Sequence, residues 1–177
     1  MRYRQKGFFV ATVLLMNLMS ASLGMGLTIP TSESLATFLP SAPRGWEADP
    51  RSSTVFDQPN TGSFVYQAYT GPSGRTVNVT IQAFIKSPTQ TEDQPEDQEG
   101  PQCRSDSKEY DIQGFRVYDM TLQCPDYSGH FLETALRDSK DFFFSVSVSE
   151  DGAAKDDGTL RAILESMDLK GLRNLAG

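Results

Sequence analysis

Residues 76–85 alternate. Val77, Val79, Ile81, Ala83 and Ile85 fall on one side of an extended chain, and Asn78, Thr80 and Gln82 on the other. A period of two held over this length predicts a strand buried on one face, and one-sided burial points to an antiparallel sheet. Residues 142–149 repeat the pattern, with Phe142, Phe144, Val146 and Val148 opposed to Ser145, Ser147 and Ser149. Phe64–Thr70 is rich in aromatic and β-branched residues, and Gly71-Pro72-Ser73-Gly74 joins it to the strand from Thr76 as a hairpin. Three further strands are predicted at Lys108–Ile112, Phe115–Gln123 and Gly129–Arg137. Gln113-Gly114 reads as a two-residue turn, and Asp138-Ser139-Lys140-Asp141 as a second hairpin turn. Residues 51–62 are polar, carry Pro59-Asn60 and Gly62, and read as loop.

Two stretches follow the helical period instead. Leu160, Ile163, Leu164 and Met167 form one apolar stripe, with Asp156 or Asp157 placed to cap its start. Leu169, Leu172 and Leu175 continue out of phase, so a break is predicted near Asp168. A shorter helix is predicted over Thr31–Leu39. Thr31 or Ser32 caps it, Leu35, Phe38 and Leu39 share a face, and Pro40 ends it. The fold class that follows is α+β: about six antiparallel strands packed by a C-terminal helix and a short N-terminal helix.

The start of the chain has a different organisation. Arg2, Arg4 and Lys6 precede FFVATVLLMNLM at residues 8–19, and Ser20, Ala21, Ser22, Gly24 and Gly26 follow. A basic start, a short apolar run and a small-residue exit are the parts of a secretory signal peptide. The expected organisation is therefore a signal peptide over 1–24, cut after Gly24 (or after Ser22), and one α+β domain over 25–177. The alternative is a membrane anchor over residues 7–27, since no charge lies between Lys6 and Glu33. Lipid attachment is disfavoured, because no cysteine lies near the cleavage zone.

The full chain has 177 residues and a net charge of -7. Three of its 16 basic residues and none of its 23 acids lie in the leader, so the remainder is near -10. That balance opposes nucleic acid binding and anionic membranes. The expected partner is a protein or a small ligand, with a membrane only if the leader is retained. One His and two Cys exclude classical zinc fingers and Cys-ligated iron–sulfur clusters, so no metal and no cofactor is expected. Residues 87–102 contain EDQPEDQE and read as a solvated acidic loop. Neither they nor the acids near Asp156 match the EF-hand spacing.

Cys103 and Cys124 are expected to form a structural disulfide in an exported chain, and they are not spaced as a Cys-X-X-Cys redox pair. His130 is the sole imidazole. With Asp126 and a serine it would make a hydrolase, but no Gly-x-Ser-x-Gly elbow or oxyanion loop accompanies it, and a histidine at a strand start is expected at the surface. Ser105-Asp106-Ser107-Lys108 matches Ser-x-x-Lys without the companion motifs. Asn78-Val79-Thr80 is a glycosylation sequon on the expected polar face, and Trp46 is expected to plug the core beside a turn.

Three segments carry a resemblance. Residues 38–46 read FLPSAPRGW, residues 69–77 YTGPSGRTV and residues 164–172 LESMDLKGL. Their order resembles small exported bacterial proteins of unknown function. The layout looks like the Mog1/PsbP type of α/β sandwich, which implies an antiparallel sheet with helices against it. The resemblance brings no catalytic residues, and the acidic insert and the two cysteines depart from it. The function expected is that of an exported non-enzymatic accessory or binding protein, using the polar sheet face or the 87–102 loop. The alternatives are a small hydrolase using His130 with Asp126, and a membrane-tethered subunit of an envelope complex.

Overall fold

A computed structural model describes residues 28–50, 54–58, 61–86, 103–152 and 158–176. The leader over 1–24, the anchor alternative over 7–27, the acidic loop over 87–102 and the capping acids Asp156 and Asp157 lie outside the described residues. Among the described residues, no helix is long and apolar enough to cross a membrane.

The strands are β1 (Glu47–Ala48), β2 (Thr54–Gln58), β3 (Gly62–Thr70), β4 (Thr76–Ile85), β5 (Arg104–Ile112), β6 (Phe115–Gln123), β7 (Ser128–Asp138) and β8 (Phe142–Asp151). They form one antiparallel sheet in the order β1-β3-β4-β8-β7-β6-β5, with β2 also paired to β3. The sheet has eight strands rather than about six. The two additional strands, β1 and β2, share one edge of β3, at opposite ends of it. The stretch read as loop over 51–62 therefore contains β2. Its register sets Phe56 against Phe64 and Asp57 against Ser63. Asp57 also ties this strand to α1 (Ser32–Ala36): the Ser32 N–H donates to Oδ1 at 2.7 Å and the Ser32 hydroxyl to Oδ2 at 2.5 Å. β2 is thus made by partners elsewhere in the chain, which no local pattern announces.

The expected alternation places the core. Val65, Tyr69, Val77, Val79, Ile81, Ala83, Phe144, Val146, Val148, Leu132 and Val117 are all buried on one face of the sheet. Helix α2 (Thr159–Ser166) packs on β7 and β8, α3 (Leu169–Asn174) on β7, and α1 on β2 and β3. Leu160, Ile163, Leu164 and Met167 are all buried, as the stripe requires. Each such side chain contributes about 1.5–3 kcal/mol by leaving water.

The break predicted near Asp168 is real. Met167 is extended (φ -80°, ψ 146°), and the Asp168 carboxylate caps α3 by accepting from the Gly171 N–H at 2.8 Å. A Cβ at Gly171 would meet that carboxylate at 2.2 Å and the Phe38 ring at 2.9 Å, so a side chain there would displace the cap. The residue at the N-cap of α2 is Gly158, in the left-handed region (φ 78°) and without a side-chain cap. Trp46 is partly buried against the core as expected, with the Arg75 guanidinium 5.7 Å from its ring centroid.

Candidate functional site

The covered face turns polar at one end. Along β8, Phe144, Val146 and Val148 are followed in phase by Glu150. Along β6, Phe115 and Val117 are followed by Asp119, and on β7 Leu132 is preceded by His130. Cross-strand register collects these residues: Glu150 pairs with His130, and Asp119 pairs with Leu132 on one side and Lys108 on the other. Glu150, His130 and Asp119 are 2%, 2% and 5% exposed.

Glu150, Asp119 and His130 each meet a specific partner. The Arg75 guanidinium forks onto Glu150, with Nε 2.7 Å from Oε1 and Nη2 2.7 Å from Oε2. Asp119 Oδ2 lies 3.2 Å from Lys108 Nζ, and Oδ1 lies 2.8 Å from His130 Nε2. A carboxylate only accepts, so Nε2 carries the proton and donates. The other nitrogen, Nδ1, is buried and has no hydrogen-bond partner among the described residues. His130 is therefore an interior residue and not the surface residue that its place near a strand start suggested. Its carboxylate is Asp119 from the neighbouring strand, whereas Asp126 is exposed.

Beside this pair opens a pocket of about 350 Å³. Leu132 and Tyr110 give it apolar wall, and Lys108, Glu109 and Arg161 give it charge around Asp119 and His130. The Arg161 guanidinium lies 5.0 Å from the Tyr110 ring centroid and bonds Glu165 at 2.7 Å. Burial first, and the Asp119 charge second, push the Tyr110 hydroxyl above its ordinary range, against the opposing pull of Arg161 and Lys108. Tyr110 thus stays a neutral wall of the pocket.

The remaining residues singled out in the sequence do not join this group. Ser105 and Lys108 lie three positions apart on β5, so the strand period sends them to opposite faces and the Ser-x-x-Lys spacing makes no pair. Cys103 and Cys124 are disulfide-bonded across the open end of the β5–β6 hairpin, with Cα atoms 4.2 Å apart. Among the described residues, no cluster of three or more His, Cys, Asp or Glu could hold a metal ion. Asn78 is buried, and its Oδ1 accepts from the Tyr66 hydroxyl at 2.6 Å, so the sequon lies inside a paired strand.

The opposite sheet face is only partly polar. Gln82 bonds Ser145 at 3.2 Å, but the ring pairs Phe56–Phe64 and Phe84–Phe143 sit on the same side at 5.5 and 5.2 Å. Sequence reasoning missed Asp119 and Glu150 and misplaced His130. The signal was present: all three continue an apolar alternation in phase, and a polar residue there must be buried. No protein-family model, no curated protein and no solved structure matches the chain.

Proposed function

We propose that this is an exported, non-enzymatic accessory or binding protein, and that it meets a small ligand or a protein partner at the pocket beside Asp119 and His130. The observation that carries the reading is the state of the imidazole. A general base presents one ring nitrogen to a nucleophile while the other is held by its orienting group. In this chain Nε2 is spent on Asp119 and Nδ1 is buried without a hydroxyl on it. The imidazole orders the core end of the pocket and offers no nitrogen to a bound molecule. The pocket is favoured over the polar sheet face because that face satisfies its own polar groups, as in Tyr66–Asn78 and Gln82–Ser145. Export rests on the leader sequence, and the disulfide is compatible with it. The Mog1/PsbP-type layout is part of the same proposal, since an antiparallel sheet with helices on one face is what it implies.

The test is a screen by amide-resolved NMR with a panel of small carboxylates, amines and saccharides. Shifts confined to Lys108, Tyr110, Asp119, Leu132 and Arg161, lost in the Arg161→Ala variant, are expected. Turnover of simple esters or amides that disappears in His130→Ala would replace this reading with the hydrolase.

A further inference from the structure

The two edges of the sheet are built differently. One is divided between β1 and β2, and its β2 part is tied to α1 through Ser32 and Asp57. The other is β5, nine residues long and paired only with β6 among the described residues. Arg104 through Glu109 are all exposed.

The hairpin geometry says which backbone groups face outward. Gln113 and Gly114 both have positive φ (56° and 85°), the conformation of a two-residue turn that closes on a hydrogen-bonded Ile112–Phe115 pair. Even-numbered residues of β5 therefore bond β6, and odd-numbered ones form the closer non-bonded pairs. The 4.2 Å Cα separation of Cys103 and Cys124 fits the closer kind. The N–H and C=O of Ser105, Ser107, Glu109 and Asp111 thus point away from the sheet.

We propose that this edge pairs with β5 of a second copy, antiparallel, about a two-fold axis at Ser107. In that register Ser107 faces Ser107 and Ser105 faces Glu109, which unites the outward-pointing groups in about six backbone hydrogen bonds. On the pocket side, Asp106 faces Lys108 twice and Arg104 faces Tyr110 twice. The neighbouring registers are opposed by charge. An axis at Asp106 sets Asp106 against Asp106 and Arg104 against Lys108. An axis at Lys108 sets Lys108 against Lys108, and one at Glu109 sets Glu109 against Glu109. An axis at Ser105 avoids like charges but overlaps only residues 103–107, against 103–111 for the axis at Ser107. Charges on an exposed edge usually repel other strands. Here their order also selects one partner and one register, because facing opposite charges stabilise and facing like charges destabilise. Lys108 keeps Asp119 on its own copy and gains Asp106 of the second.

Sedimentation of the purified protein over a range of concentrations is the first measurement, and a monomer–dimer equilibrium is expected. Ser107→Pro removes an outward N–H that the monomer does not use, a place where an edge strand tolerates proline. It should weaken the dimer at least tenfold with the circular dichroism spectrum unchanged. Should Ser107→Pro fail to fold, Asp106→Lys, which turns two attractions into repulsions, should weaken the dimer to the same degree. Ser107→Cys should cross-link on mild oxidation, because facing residues lie about 5.5 Å apart. Ser105→Cys should not, because its counterpart is about 14 Å away. A protein that stays monomeric at every concentration, or that cross-links through residue 105 as readily as through 107, would overturn the proposal.

Discussion

Val148 and Glu150 lie two residues apart on β8 and share a face, yet one is sealed among apolar side chains and the other is held by an arginine fork. The same step occurs between Leu132 and His130 on β7 and between Val117 and Asp119 on β6. At the apolar end, α2 and α3 press Leu160, Ile163, Leu164 and Leu172 onto the strands. At the polar end Glu150, Asp119 and His130 each rely on a directional partner. Burial by packing tolerates small shifts of position, whereas burial by hydrogen bonds demands one geometry. The polar end is therefore the more specific structure, and the apolar end carries more of the stability.

Truncation should separate the two ends most sharply. Leu164→Ala, at 0% exposure in the apolar end, is expected to cost about 2–5 kcal/mol in chemical denaturation, because the surrounding helices and strands only partly fill the space left. A cost near that of a surface substitution would mean that α2 does not seal the sheet. Arg75→Ala should cost less, about 1–3 kcal/mol, since Arg75 is itself partly exposed while Glu150 is left buried without its cation. Glu150→Gln in the Arg75→Ala background should recover part of that loss. A double variant no more stable than Arg75→Ala would show that the fork does not hold the polar end.

The last effect belongs to pH. Tyr69, buried and donating to the Pro40 carbonyl at 2.6 Å, has its hydroxyl pushed up by burial to about 12. The unfolded chain releases this proton first, near pH 10, so between pH 10 and 12 the folded state holds more protons and stability falls as pH rises. The slope is at most about 1.4 kcal/mol per pH unit for one group. Alkaline denaturation of Tyr69→Phe should show a shallower fall over that window, and an unchanged slope would remove Tyr69 as its source.

Where both faces of a strand differ in environment, periodicity revealed it: β4 and β8 stand where alternation placed them, β3 and β6 where composition and turn signals did, and α2 breaks where its stripe lost phase. β5 runs from Arg104, four residues before the predicted start, because its exposed first half has no buried face to print a pattern. β2 was invisible because pairing with β3 and the Asp57–Ser32 bonds make it, and both partners are distant in sequence. The site was legible only as chemistry. His130 was identified as the sole imidazole, but Asp119 became its partner through a register that one strand read alone does not reveal.

His130 is an interior residue, with Nε2 held by Asp119 and Nδ1 buried. Because the chain has a single histidine, its carbethoxylation by diethylpyrocarbonate in tag-free protein reads this one side chain. The native protein is expected to resist modification, and the unfolded protein to form one carbethoxyimidazole. Modification of the native protein at the rate of free imidazole would contradict it.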